Sequence, residues 1–284
     1  MPHRQAPTLC FPDRHKSCFA CCPPIRPAAY EHIQHQNIIQ RELRDNTRAF
    51  AARGPAVAPI RGFSCWALGY LDRRRRLVGC LLHPAQNDAR DLRYRVDYGE
   101  KCRRESCPAS KTFLRLDERG RRYWLGLANG LDAFAYSSRV HNPLFGLLGW
   151  GPDVLRGVFR EADRPILCRE AFFREFPFFS TRSDPAAHAY LLRGIAERSG
   201  YAIFRSGRFR QVFEEFAEQV VGESRRMSNT APGGVFTHRL SMDEYFLDFA
   251  RLSVGLRRTD PKHAEFLKRI VDRAIEKFNS GFRI

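Results

Sequence analysis

Long apolar runs are missing from this chain. The longest, residues 143–150, falls far short of the roughly 20 residues that a bilayer-spanning helix needs, so no membrane partner is expected. The opening stretch MPHRQAPTLCFPDRH has no hydrophobic segment of signal-peptide length, which points to the cytoplasm, where thiols stay reduced. Also absent are an HExxH pair, a Walker phosphate loop, a GxSxG elbow and a Rossmann glycine fingerprint. Zinc hydrolases, P-loop enzymes, serine hydrolases and dinucleotide enzymes each lose their usual marker, and an ordinary methyl-donor site is weakened with them. Lysine is scarce too, at six residues against 42 arginines.

What remains is basic and aromatic. The net charge is +17 and the chain carries 23 Phe, ample material for a core in 284 residues. Such a surplus suits either a polyanion partner or a solvated arginine-rich surface, and the second is the simpler reading. The densest patch, Arg73–Arg76, has no interleaved aromatics and no helix-turn-helix beside it. It reads as an exposed loop, and nucleic acid is not the favoured partner.

Cysteine divides the sequence. Eight of the nine (Cys10, Cys18, Cys21, Cys22, Cys65, Cys80, Cys102 and Cys107) precede residue 108, and only Cys168 follows. An odd count in a chain of this length does not suit a disulfide scaffold. Metal centres need several soft ligands converging on one point, and ligands close in sequence cost little loop-closure entropy. Cys18 and Cys21 have the C-x2-C spacing of zinc and iron–sulfur sites, and Cys102 with Cys107 forms a second close pair. Cys10, Cys22, Cys65 and Cys80 are available to complete one or two sites. Successive side chains diverge in an extended chain, so Cys21 and Cys22 either serve two metals or comprise one ligand and one packed thiol. Core filling, disulfides and redox-reactive thiols are the competing readings, and metal ligation is favoured over them. Isolated Cys168 is expected in the core. His83, three residues after Cys80, is the best additional ligand candidate, whereas His32 and His35 share a helix with no matching carboxylate pair. Residues 1–112 hold 20 Lys and Arg against 10 Asp and Glu, and part of that surplus is expected to balance thiolates.

The pattern resembles the zinc- or iron-chelating cysteine-cluster (CxxCxxCC, YkgJ-like) family. The segments that carry the likeness are CFACC at 18–22, SCWAL at 64–68, GCLLHP at 79–84 and KCRRESC at 101–107. The resemblance implies an iron–sulfur cluster or zinc as cofactor. Its ligands would be Cys18, Cys21, Cys22, Cys65, Cys80 and Cys102, with Cys107 as the last. The first signature cysteine is displaced: position 15 is His, so Cys10 takes the role through a longer loop or His15 replaces it, and Cys10 is preferred. The likeness spans about 100 residues and is silent on 113–284. Flagellin lysine methylases are similar in the same cysteines. The function implied is metal binding with a structural, metal-handling or electron-transfer role, with a protein as a further partner. The alternatives are a protein-modifying enzyme such as a methyltransferase, or a nucleic-acid-binding protein with structural zinc.

The fold class expected is mainly α, with a cysteine-rich N-terminal module over residues 1–112 and a helical region over 113–284. The module combines short irregular elements with a small β-hairpin. Apolar spacing predicts a first helix between residues 23 and 53, stopped at Gly54-Pro55. TFLRLDERGRRYWLGL reads as the hairpin, turning at Asp117–Gly120. Downstream, Asp184-Pro185 opens a helix, and Phe209, Val212, Phe213, Phe216 and Val220 mark another. A linker around Pro232 follows. Ser241 with Glu244 makes a capping box, and Asp260-Pro261 starts a last helix bearing Leu267, Ile270, Val271, Ala274 and Phe278. Five phenylalanines between 172 and 179 are expected to be buried, with a hydrophobic groove as the alternative.

Overall fold

The computed structural model of the chain describes residues 7–22, 31–54, 65–104, 107–162, 168–180, 184–228 and 234–281. It is mainly helical, with two small two-stranded sheets. Two compact units divide it, Met1–Phe145 and Gly146–Ile284.

In the first unit, helix α1 spans Gln36–Arg53 and buries Ile39 and Leu43. It ends as the sequence suggests: Gly54, at φ +68°, takes a conformation that glycine alone adopts freely, and its N–H closes on the Phe50 carbonyl at 2.8 Å. A 3-10 turn, His32–His35, precedes α1, and the expected helix start at 23–30 lies outside the described residues.

The hairpin is real but sits elsewhere in the chain. Strands β1 (Leu68–Tyr70) and β2 (Val78–Cys80) pair antiparallel, with Leu68 opposite Cys80 and Tyr70 opposite Val78. Asp72 organises the connection by accepting the Arg76 and Leu77 amides at 2.7 and 2.8 Å. The Arg73–Arg75 stretch is exposed there. Both open edges of this pair are covered, which removes the liability of unpaired strand groups. Ser17 takes both polar groups of Val78 on one side, while Thr47 and Asn46 of α1 take the Tyr70 amide and the Leu68 carbonyl on the other. Gly69 is required by that closeness, because a Cβ there would lie 2.7 Å from Thr47 Oγ1 and 2.8 Å from Leu81 Cδ1.

Helices α2 (Gly99–Arg104), α3 (Pro108–Leu114), α4 (Glu118–Gly126) and α5 (Ala133–Ser137) follow. The hairpin expected at TFLRLDERGRRYWLGL is therefore corrected to two helices. Asp117 is an N-cap and not a turn residue: its carboxylate accepts the Gly120 amide at 2.7 Å, and α4 then buries Trp124. Helix α6 (Pro143–Leu148) completes the series up to the second unit.

That second unit is built from α7 (Pro152–Glu161), α8 (Arg169–Glu175), α9 (Pro185–Ser199), α10 (Gly207–Met227), α11 (Glu244–Asp248) and α12 (Pro261–Gly281). A short sheet of β3 (Val235–Phe236) and β4 (Arg258–Thr259) joins them. At the expected linker, α10 runs to Met227 and β3 starts at Val235, and Pro232 lies outside the described residues. Helices α9 and α12 begin at their predicted prolines, although Asp184 makes no side-chain cap bond. The capping box is corrected, since the cap is Asp243, whose carboxylate accepts the Tyr245 and Phe246 amides at 2.9 and 3.1 Å. Beyond α11 the chain widens into a π-helical turn, Phe249–Val254, which leaves Leu252 exposed while Phe249 stays buried. Phe172, Phe176, Phe178 and Phe179 are buried as expected. Phe178 is their hub, with ring centroids of Phe179, Phe204 and Phe209 at 5.0, 5.1 and 5.4 Å.

Candidate metal centre

Three segments of the first unit carry the eight N-terminal cysteines. The first, residues 7–22, is held by the residues between its cysteines. Lys16, buried, donates from Nζ to the Ala128 carbonyl at 2.9 Å. Ser17 Oγ lies 2.7 Å from both the amide and the carbonyl of Val78. The Phe19 amide reaches Ser137 Oγ at 2.9 Å, and its ring enters a core cluster with Ile39, Leu43, Leu68 and Val78. Cys18 is drawn to Cys10 by a 2.8 Å backbone bond, and Cys22 turns back to the Phe19 carbonyl at 3.0 Å.

The hairpin is the second segment. Cys65 precedes β1 and Cys80 ends β2, and each occupies the same kind of turn. The amide three residues on returns to the cysteine carbonyl, Leu68 to Cys65 at 2.8 Å and His83 to Cys80 at 3.1 Å. Asn46 of α1 fixes the Cys65 carbonyl from the other side at 3.0 Å. In the third segment Cys102 lies on α2, its carbonyl held by Arg93 at 2.9 Å, and Cys107 stands at the N-cap of α3.

All nine cysteines are free. Several thiols of the first unit act on one another electrostatically. Cys10 is influenced by Cys21 and Cys107, and Cys18 by Cys21, Cys10 and Cys107. Cys22 is influenced by Cys80 and Cys102, and so is Cys65 in turn. At the adjacent pair the Cys22 thiol donates to the Cys21 sulfur. Burial pushes the Cys10 thiol up to about 11 and Cys65 up to about 12, with neighbouring thiols adding to the rise. Cys18 and Cys80 are raised by burial as well. Cys21 moves the other way, to about 7, chiefly because of the Cys22 hydrogen bond, with Arg139 contributing. Cys21 is exposed as a residue, yet desolvation still opposes that fall.

Hydrogen-bond donors surround these sulfurs. The Ala20 amide points at Cys18, those of Ala67 and Leu68 at Cys65, and those of Leu82 and His83 at Cys80. The Ser110 hydroxyl donates to Cys10. Guanidinium charge is close to these thiols, Arg139 near Cys21 and Arg93 near Cys80 and Cys102. Ser110, Arg93 and Arg139 carry no sequence signal that marks them for this role. Among the described residues, no group of three or more His, Cys, Asp or Glu side chains is arranged to hold a metal ion as it stands. The eight thiols are neighbours, not a closed coordination shell.

The histidines stand apart. His15 is exposed, with Arg14 Nε 3.3 Å and an Arg76 guanidinium nitrogen 2.7 Å from its ring nitrogens. His83 Nδ1 accepts the Ala85 amide at 3.1 Å as a helix cap. His32 packs edge-on against Phe19, with Nε2 3.2 Å from the Cys22 carbonyl. Cys168 is corrected from the core to the surface: it is exposed at the N-cap of α8. In the second unit, a cavity of about 230 Å³ is floored by Trp150, Phe178 and Phe213 and edged by Asp184, His188 and Glu214. That is smaller than the roughly 300–1,000 Å³ of sites for drug-sized ligands. Comparison with protein-family models, with curated proteins and with solved structures found no match for the chain.

Proposed function

We propose that the first unit is a metal-binding module of the cysteine-cluster type, holding zinc or an iron–sulfur cluster through the thiolates of Cys10, Cys18, Cys21, Cys22, Cys65, Cys80, Cys102 and Cys107. Its role is structural, metal-handling or electron-transferring, and it acts in the cytoplasm. The observation that carries the reading is the set of backbone amides aimed at Cys18, Cys65 and Cys80. A neutral thiol is a weak acceptor and gains little from such donors. A thiolate gains a great deal, because donors that stabilise the charged form offset the cost of burying it. Burial alone keeps these groups protonated at neutral pH, so the donors become productive once a cation converts thiol to thiolate. Soft sulfur donors select zinc or iron–sulfur clusters over hard ions such as magnesium or calcium. When bound, the metal would supply the positive charge that holds the thiolates together. The chain's own amides, Ser110 and the two guanidiniums would orient the sulfurs and screen their charge.

Anaerobic purification followed by elemental analysis and an absorption spectrum tests this. Brown protein with about four iron atoms identifies an iron–sulfur cluster, and colourless protein with stoichiometric zinc identifies a zinc centre. Metal-free protein that takes up neither zinc nor an iron–sulfur cluster on anaerobic reconstitution refutes the proposal.

A further inference from the structure

We infer that the tip of the β1–β2 hairpin, together with the loop that packs on it, is a binding surface for single-stranded nucleic acid. The inference uses no thiol and goes beyond the metal-binding reading.

Along the chain Arg73–Arg76 has no aromatic among its arginines, but the fold supplies one and adds charge. Residues 7–22 meet the hairpin at three points. Ser17 takes both polar groups of Val78, the His15 ring meets Arg76, and Phe11 lies against Gly79, where a Cβ would stand 3.5 Å from its Cζ. Five arginines, Arg14 and Arg73–Arg76, are gathered in this way from two separate stretches. Arg14 and Arg73–Arg75 are exposed and make no ion pair among the described residues. The carboxylates of the same two stretches are already engaged. Asp13 accepts the His15 and Lys16 amides at 2.6 and 3.0 Å and lies 3.5 Å from Lys16 Nζ. Asp72 accepts the Arg76 and Leu77 amides and pairs with Arg76 Nε at 3.3 Å.

His15 shows what the cluster lacks. Arg14 Nε stands 3.3 Å from its Nε2, and an Arg76 guanidinium nitrogen 2.7 Å from its Nδ1. An imidazole offers at most one acceptor nitrogen, so at least one of these contacts sets donor against donor. A phosphate oxygen at this point accepts from both guanidiniums through charge-assisted bonds. Phe11 selects a strand over a lone phosphate. Its ring is 40% exposed, yet it stands on a closed turn: Thr8 Oγ1 accepts the Phe11 amide at 3.0 Å, and the Phe11 carbonyl accepts the Thr8 amide at 3.3 Å. An aromatic presented beside a row of guanidiniums holds a base on its ring and phosphates on the charge, and a duplex has no free base face to offer it.

Fluorescence anisotropy of the full chain with a labelled oligothymidylate of about twelve nucleotides tests this between about 50 and 200 mM salt. The logarithm of the association constant should fall with the logarithm of salt, by about 0.7 per phosphate contacted. Arg73→Gln, Arg74→Gln and Arg75→Gln combined should flatten that slope by about 2. Removing equal charge from exposed positions of α1, as Arg41→Gln, Arg48→Gln and Arg53→Gln, should leave it within about 0.5 of wild type. Phe11→Ala should weaken binding about 5- to 100-fold without changing the slope. Equal flattening by the two triple variants would reduce the surface to bulk charge and overturn the inference. So would absence of binding at the lowest salt, a duplex of the same length bound as tightly as the single strand, or an unchanged affinity in Phe11→Ala. If that variant fails to fold, the slopes decide, because the triple variants alter only exposed arginines.

Discussion

Ser17→Ala should loosen the attachment of the cysteine loop to the hairpin. The hydroxyl is fully buried and lies 2.7 Å from both polar groups of Val78, itself 1% exposed. In the pairing of β1 with β2, these Val78 groups face away from the partner strand, so Ser17 is what satisfies them. A buried group left unsatisfied costs about 1–3 kcal/mol, and alanine orphans two at once. The two costs sum to about 2–6 kcal/mol, and partial relaxation around the vacated space recovers some of this, giving about 2–4 kcal/mol. Native-state hydrogen exchange at the amides of Leu68–Tyr70 and Val78–Cys80 reads this directly. The expected acceleration is about 30- to 1,000-fold, since about 1.4 kcal/mol corresponds to a factor of ten. Ser180→Ala is the control, because that exposed hydroxyl donates to the Pro177 carbonyl and its loss should cost less than about 0.5 kcal/mol. Exchange in the Ser17 variant within about threefold of wild type, roughly 0.6 kcal/mol, would refute the reasoning.

Cys168→Ser should leave metal content unchanged while Cys80→Ser lowers it; equal losses by elemental analysis would contradict the placement of Cys168 at the surface of the other unit. In metal-free protein, iodoacetamide should alkylate Cys21 with a midpoint near pH 7, whereas Cys10 and Cys65 await about 11 and 12. Peptide mapping across a pH series reads this, and a Cys21 midpoint at the ordinary thiol value would count against the Cys22 hydrogen bond. The same shifts have opposite stability signs. Cys21, depressed, stabilises the fold fully above the unfolded thiol value of about 8.5 and loses that contribution as pH falls through about 7. Cys10 and Cys65, raised, weaken the metal-free fold as pH climbs past the unfolded value. Denaturant midpoints measured across that range check the balance, and no decline on the alkaline side would contradict the burial of these two thiols. Phe178→Ala should cost about 3–5 kcal/mol through the cavity it opens among Phe179, Phe204 and Phe209. Thermal unfolding measures it, and a cost near that of a surface substitution would show that the ring cluster is not packed as described.

Helices with strong local punctuation were legible in the sequence. Pro185 and Pro261 start α9 and α12, and the Phe209–Phe213–Val220 stripe faces inward from α10. Where one residue serves two local structures, the sequence is ambiguous. Asp117 three residues before Gly120 fits a turn and also an N-cap, and what separates them is whether Trp124 has a core to enter. Asp243 outcompetes Ser241 in the same way, because its carboxylate reaches two amides at once. The true hairpin was hidden for a different reason. Its strands are three residues long and their edges are capped by Ser17, Asn46 and Thr47, so the alternation that a half-solvated strand shows never develops.

The cysteines were legible as a group, but what holds each of their segments in place was not. Sequence spacing encodes the entropy of closing a loop, and on that measure Cys102 belongs with Cys107 and Cys21 with Cys22. The fold adds what spacing omits, the direction in which each segment leaves its anchor. Lys16, Ser17 and Phe19 pin the loop between its cysteines, and Cys22 packs with Cys65 against the cluster of Phe19, Leu68 and Val78. The charge argument needs the same refinement. Eight thiolates around two divalent ions would carry about four net negative charges. Among the described residues the basic side chains seen to act on thiols are Arg93 and Arg139, and Arg93 is already shared with Asp91 at 2.8 Å. Two guanidiniums, one partly committed, cover at most half of that charge, so amide and hydroxyl donors must screen the rest. The surplus of +10 in residues 1–112 is therefore larger than the charge seen to act on the thiols.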